Sequence, residues 1–376
     1  MLKKCMTLNQ QFCFGEIEKK EEMQESTFLC DKMRLRATCV FDTYWRFASE
    51  RQSIFFRRLE DLLPWTQDPI LATFRFTNPY RAADRVSQFL IREVAYKGDQ
   101  SPNELFFRII LFKLFNKIET WRLLSQEVGE PSYSGYSYRV YDRILTAALE
   151  SGARVYSAAY IMPSGGRSGS ERKHQSHLLL LERMMREEVP ARISDMRCMK
   201  GAFHLLRSYP MLGNFLAYQF VTDLNYSTLS NFREDEFVVP GPGACDGIRK
   251  CFPALPISKA PEVIQAVCEA QEEQFARLGL GFRSLWGRRL QLIDCQNLFC
   301  EVDKYSRLAH PNIPGISGRT RIKQAYRSSG QFPRLFFPPK WNINGRIPEN
   351  LRINNSEHEG FQISEPETAN AELVLS

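Results

Sequence analysis

The sequence, 376 residues long, predicts a mainly α-helical fold. Two observations carry that expectation. Apolar residues recur at three- and four-residue steps in one segment after another, and Pro- or Gly-containing breaks separate those segments. Hydrophobic residues make up 43% of the chain, near the globular average, so most of it should pack around a core, as one large domain or two ordinary ones.

We divide the chain into an accessory segment (1–33), a helical domain (34–310) and an irregular tail (311–376). The accessory segment, with its charged run at 16–25, reads as a frayed or accessory helix. A helix over 41–56 puts Phe41, Tyr44, Trp45, Ala48, Gln52, Phe55 and Phe56 on a bulky face and carries Arg46, Arg51, Arg57 and Arg58. Pro64 and Pro69 must break it. Residues 74–81 interleave aromatics with arginines, and a helix over 81–96 carries Arg81, Asp84, Arg85 and Gln88. Such interleaving suits a surface that stacks on bases and holds phosphates, or a core whose arginine stems run out to solvent.

A helix over 101–124 has Pro102 and Glu104 in its first turn, and its apolar run 106–115 reads as buried. A loop at 129–138 precedes a helix over 141–151, and the Gly- and Ser-rich residues 163–173 read as a mobile loop. Gly165 to Gly169 lack the Gly-Lys-Ser/Thr closure of a P-loop, and no such closure occurs elsewhere in the sequence. His174 and His177 read as solvated histidines rather than a metal pair, because no further ligands lie nearby. Helices follow over 199–209 and 212–224. On the second, Gln219 and Asp223 share a face one turn apart, so this polar pair either sews the core or lines a cavity. The turn Gly241-Pro242-Gly243 opens a helix carrying Arg249 and Lys250, an arrangement that binds anions, although such turns also occur without a ligand. A helix over 261–278 ends at Gly279 and Gly281.

The most distinctive stretch is 294–307. On a helix, Leu292, Cys295, Phe299 and Val302 form an apolar stripe, while Asp294, Asn297, Glu301 and Lys304 follow the same steps on the far side. Gln296, Cys300, Asp303 and Arg307 lie on a flank. This is either a dense set of acid–base groups or the solvated face of an amphipathic helix. Past 307 prolines interrupt every pattern, and the last thirty or so residues, polar and acidic, read as disordered.

The bulk properties narrow the function classes. The net charge of +7 suits a polyanionic partner without demanding one. Ten cysteines with no C-x-x-C pair read as reduced thiols. The sequence opens on no secretory pattern, and no apolar run approaches the ~20 residues of a spanning helix. We therefore expect a soluble, intracellular protein with no membrane partner, nuclear in a eukaryote or cytoplasmic in a bacterium or phage host.

Several of these stretches together resemble one family. They are Trp45 to Gln52, Pro64 to Leu71, Phe76 to Arg85, Ala217-Tyr218-Gln219, Gly241-Pro242-Gly243 and Asp294 to Tyr305. The chain resembles the α-glutamyl/putrescinyl thymine pyrophosphorylases, whose domain also forms the helical region of 5-hydroxymethyluracil DNA kinases. The resemblance spans about residues 35–308. It implies a helical fold like that of the helix-hairpin-helix DNA glycosylases, with Gly241, Pro242 and Gly243 as the hairpin that grips DNA phosphate, helped by Arg249 and Lys250.

The implied reaction replaces pyrophosphate on a flipped 5-pyrophosphoryloxymethyluracil with the amine of an amino acid or polyamine, after a separate 5-hydroxymethyluracil DNA kinase has acted. Trp65, Phe76 and Tyr80 are then candidates to stack the base, and Asn78, Gln219, Asp223 and Tyr305 to bind it. Gln296 and Asn297 would read the uracil edge, and Arg75, Arg81, Arg85 and Lys304 would hold phosphate or pyrophosphate, with Mg²⁺ as a candidate cofactor on carboxylates. Asp294, Glu301 or Asp303 would serve as base, which makes Asp294, Asn297, Glu301, Asp303 and Lys304 the candidate catalytic set. The glycosylases' Asp, shortly after the hairpin, has no clear equivalent here: Asp246 lies within the hairpin's helix and Asp294 far downstream. Two rivals stay open: a glycosylase or lyase in which Lys304 forms a Schiff base, and a non-catalytic module that recognises modified DNA.

Overall fold

A computed structural model describes residues 26–30, 33–158, 162–164, 172–327 and 334–352. The Gly- and Ser-rich loop falls largely outside these residues, as do 1–25 and 353–376. Among the described residues the chain folds into fourteen α-helices and one two-stranded hairpin. The helical class is as the periodicity predicts.

The hairpin corrects the first expectation. Strands β1 (Ser26–Cys30) and β2 (Met33–Ala37) pair antiparallel where an accessory helix was expected. Phe28 and Cys30 are buried against the body, which alternation along a strand allows and a frayed helix would not.

Helix α1 (Cys39–Leu59) begins at Thr38, whose hydroxyl caps the Val40 N–H and donates to the Lys250 carbonyl at 2.6 Å. Helices α2 (Pro69–Thr73) and α3 (Arg85–Phe89) follow. The helix expected over 81–96 is divided, with a 3₁₀ turn at Arg81–Ala83 before α3 and a π segment at Leu90–Ala95 after it.

The 101–124 helix is two helices, α4 (Pro102–Phe115) and α5 (Ile118–Val128). Asn116 between them adopts the left-handed conformation at φ 48° that Asn tolerates better than most residues, and its side chain accepts from Lys113 at 2.9 Å. Every residue of α4 from Glu104 to Phe115 is buried, so it is a central helix, apolar on most sides.

Around α4 lie α6 (Tyr138–Glu150), α7 (Lys173–Arg186), α8 (Val189–Ser194), α9 (Met199–Arg207) and α10 (Asn214–Leu224). His174 and His177 on α7 are fully buried, not solvated. His174 meets Asp142 of α6 at 2.8 Å and His177 meets the Tyr156 hydroxyl, in the segment after α6, at 2.7 Å, so both hold α7 in place.

A second group forms around α14 (Leu292–Ala309). It includes α1, α11 (Pro242–Cys251), α12 (Ala260–Glu269) and α13 (Gln271–Arg277). The single helix expected over 261–278 breaks because the Gln271 side chain turns back onto the Cys268 and Leu290 carbonyls. The pairing of α11 with α14 is the most extensive in the fold. Gly247 makes it possible: a Cβ there would collide with the Phe299 carbonyl, so the two backbones touch. No helix lies between Asn225 and Gly241, so α10 does not run directly into the Gly-Pro-Gly turn.

Past residue 310 the described residues form only short 3₁₀ turns and irregular chain, yet several of them seal the core. Leu335, Phe337, Ile343 and Ile347 are buried, and Lys340 donates to the Ser227 and Ser230 carbonyls. The prolines remove helical periodicity without removing the apolar area available for burial. No helix among the described residues is long and apolar enough to cross a membrane.

Candidate active site

The polar face of α14 is neither solvated nor open along its whole length. Asp294, at its first turn, accepts from the Gln291 N–H at 3.0 Å and from the Arg81 backbone N–H at 2.8 Å. Burial pushes its carboxyl up to about 6, against the pull of these two bonds. One turn on, Gln296 accepts from Gln219 at 3.4 Å, and Gln219 in turn accepts from Arg81 Nε at 3.0 Å.

Arg81 then makes a bidentate pair with Asp223, at 2.7 and 2.8 Å, and Lys113 from α4 meets the same carboxylate at 2.9 Å. Burial alone would raise the Asp223 carboxyl, but Arg81 and Lys113 together hold it below its ordinary value. This network joins the two helical groups. Gln219 and Asp223 therefore sew the core rather than line a cavity.

Several other candidates belong to the same framework. Tyr80 is buried with its hydroxyl donating to the Arg288 carbonyl at 2.6 Å, and Asn78 donates to the Ala83 carbonyl at 2.8 Å. Tyr305 donates to Asp68 at 2.6 Å. Lys250 and Asp303 form an ion pair at 3.0 Å with side chains 2% exposed, and Arg307 closes on the other Asp303 oxygen. A phosphate contact needs an exposed cation. Lys250 and Arg81 are not exposed, whereas Arg75 and Arg85 are. Arg249 is part-exposed and donates to the Pro253 carbonyl.

What remains accessible is a narrow strip. Asn297, Cys300 and Lys304 are part-exposed on successive turns of α14, with Glu301 beside them. The first turn of α11 forms one bank. A Cβ on Gly243 would strike the Cys300 sulfur, and one on Gly241 the ring of Phe215, so these glycines bring the turn onto the strip. The loop before α3 forms the other bank. There the Thr77 N–H donates to Glu301 at 2.9 Å, and Lys304 meets the same carboxylate oxygen at 2.7 Å while its ammonium lies 4.4 Å from the centre of the Phe76 ring. Trp65 lies further out on this bank, under the Arg58 guanidinium at 5.1 Å.

Two members of this bank escaped sequence reasoning as site residues. Asp84 accepts from the Asn78 N–H at 2.8 Å, and burial pushes its carboxyl up to about 7 in spite of that bond and of Arg51. Arg51, buried in α1, is lowered to about 10 by its own burial; Asp84 counters that, as does Glu301 more weakly. Its Nη1 has no hydrogen-bond partner among the described residues. Asp84 was visible in the motif Asn78-Pro-Tyr80-Arg81-x-x-Asp84, but only the fold shows that its carboxyl is buried beside Arg51 and Glu301. Among the described residues no group of three or more His, Cys, Asp and Glu could hold a metal ion.

The fold and strip define a helical protein with a carboxylate, a carboxamide and an ammonium presented together beside a buried ion network. The chain belongs to the family described as the helical domain of 5-hmdU DNA kinase, whose model matches residues 38–315. It is similar to a 5-hmdU DNA kinase of Bacillus phage SP10, with 25% identity over 300 residues. That match covers 73% of this chain and 47% of the relative, so the chain spans about half the length of the phage protein. No solved structure matches. All of the strip and both of its banks lie within the matched residues.

Proposed function

We propose that this chain acts in thymine hypermodification, as a transferase that replaces pyrophosphate on a 5-pyrophosphoryloxymethyluracil base in DNA with an amine. The observation that carries this reading is the pairing of part-exposed Lys304 with Glu301, whose charge also acts on the buried Asp84 carboxyl, in a family named for a kinase of 5-hmdU DNA.

In this reading the amine nitrogen attacks the 5-methylene carbon. A C–N bond forms, the C–O bond breaks, and pyrophosphate leaves with the electron pair. The proton lost by the amine goes to Asp84, whose carboxyl at about 7 is matched to that task near neutral pH. The Lys304 ammonium, oriented by Glu301, donates to the departing oxygens. The Asn297 carboxamide makes no side-chain hydrogen bond among the described residues, and it offers a donor and an acceptor to the uracil edge.

Exposed Arg75 and Arg85 hold the flanking DNA phosphates, and Phe76 and Trp65 line the bank where a flipped base would enter. Asp294, Asp303, Gln296, Gln219, Asp223, Tyr80 and Arg81 hold α14 and its banks in register. The Gly241 to Gly243 turn is the counterpart of a glycosylase-like hairpin, with the first-turn N–H groups of α11 facing a phosphate. The partners are then DNA, a small amine donor and a separate kinase that activates the base.

The test is mass spectrometry of nucleosides from DNA carrying 5-pyrophosphoryloxymethyluracil, after incubation with the protein and a mixture of amino acids and polyamines. A new adduct formed with release of pyrophosphate is expected. Abasic sites would make the protein a glycosylase, and unchanged DNA bound by the protein would leave only a recognition module.

A further inference from the structure

Between Lys304 and Pro348 the sequence contains no Asp or Glu, yet it contains eight Lys and Arg residues. Part of this acid-free run, residues 315–327, forms a strap across the face that holds the strip. Its start is fixed on α11, where the Ser317 N–H and hydroxyl both donate to Asp246, at 2.7 and 2.5 Å. Its middle is fixed on α14, where Arg307 donates to the Arg321 carbonyl at 3.0 Å. Its end pairs with the bank before α3. There the Arg75 N–H donates to the Gln324 carbonyl at 3.0 Å, and the Tyr326 N–H to the Thr73 carbonyl at 2.9 Å. The strap therefore runs from one bank of the strip to the other.

Its backbone is held, but its charges are not used. Arg319, Arg321, Lys323 and Arg327 are exposed, and their side chains make no ion pair with any described residue. Ile322 packs toward the core between exposed Arg321 and Lys323, so the fixed backbone turns these two charges outward. Exposed Arg75 stands at the strap's end. Cations on a pinned backbone, without ion-pair partners among the described residues and with no acid in their own segment, attract a polyanion with regularly spaced charges.

We propose that the strap is a DNA-backbone rail, which holds the phosphates of the strand whose base enters the strip. It lies beyond residue 315, where the match to the family's helical domain ends, so it is a feature of this chain outside that domain. The inference rests on the reading that the substrate is DNA, but not on the chemistry carried out there.

The test uses the full chain and unmodified duplex and single-stranded DNA, with binding measured across a salt series. Each phosphate contact contributes about 0.9 to the slope of log K against log salt on duplex DNA, so losing three should flatten the slope by about 2.7. The triple variant Arg319→Ala, Arg321→Ala, Lys323→Ala should show that change. It corresponds to about a 40-fold smaller loss of affinity between 50 and 200 mM salt. Because the bond from Arg307 uses a backbone carbonyl, the triple variant should melt with the wild type. An unchanged slope in a variant that binds DNA would overturn the rail and leave the proposed reaction standing. No DNA binding by the wild type would overturn both. Loss of binding to anionic phospholipid vesicles, with DNA binding intact, would reassign the strap to a membrane surface.

Discussion

Asp223→Asn should destabilise the protein far more than the loss of any surface ion pair. The carboxylate is 1% exposed and receives two hydrogen bonds from Arg81 and one from Lys113, all between 2.7 and 2.9 Å. The amide keeps the volume but removes the charge, leaving two buried cations without the anion that they share. Breaking a buried pair in this way costs about 3–5 kcal/mol. Against a typical total stability of about 5–15 kcal/mol, that is a large share. With an unfolding entropy of about 2.1 cal/mol/K per residue over roughly 300 folded residues, the melting midpoint should fall by about 5–8 °C. Circular dichroism or calorimetric melts at neutral pH measure this directly. Glu119→Gln, which removes the exposed contacts with Arg85 at 3.5 Å and Lys117 at 3.2 Å, serves as the control and should move the midpoint by about 1 °C or less. Adding Lys113→Met to Asp223→Asn removes one stranded cation and should recover part of the loss. A shift in Asp223→Asn no larger than the control's would refute the argument that this carboxylate holds the two helical groups together.

Gly247→Ala should cost about 1–3 kcal/mol or more in chemical denaturation, because its Cβ would meet the Phe299 carbonyl, part of a backbone that cannot rotate away. Gly279→Ala, at φ 63° with nothing within 4 Å, tests conformational strain alone and separates the two causes. Asp84 should set a pH dependence of stability. Its folded carboxyl sits at about 7 and its unfolded one near 4, so the folded state binds the extra proton between those values and stability falls as pH rises through that window. Asp84→Asn should match the wild type below pH ~4 and be the more stable of the two above ~7, as urea midpoints across pH will show. The same group, acting as base, should make the transfer rate climb to a plateau above about 7, and Asp84→Asn should abolish that climb. Lys304→Gln should lower kcat by about 10²–10³-fold with little effect on DNA binding, as expected for a donor used in the transition state. Equal losses in binding and kcat would place Lys304 in binding alone.

Helix type and order were legible because periodicity is local. The stripe Leu292, Cys295, Phe299 and Val302 predicts the buried face of α14, and that face is buried. The breaks were harder to read. Asn116 ends a helix through its left-handed backbone and Gln271 through its own side chain, which takes bonds that sequence spacing does not reveal. The hairpin at 26–37 was missed because five-residue strands leave too little alternation to outweigh a charged neighbourhood. Of the candidate site, the motifs led to the right neighbourhood, the strip of α14 and the loop before α3. They could not separate Asn297 and Lys304, part-exposed on it, from Asp294 and Asp303, sealed behind it.

The sequence by itself determined that the chain is helical, that 294–307 is its chemically densest stretch, and that residues 305–348 carry positive charge with no acid among them. Those are properties of composition and spacing. Tertiary structure alone decided which charges are spent on one another. Arg81 with Asp223, and Lys250 with Asp303, come from residues 142 and 53 positions apart, and such partners meet only when the helices dock. A charge buried in the interior must find a partner there, and one at the surface is left for a ligand. Burial, which no linear pattern encodes for a polar side chain, therefore divides the framework of this protein from its site.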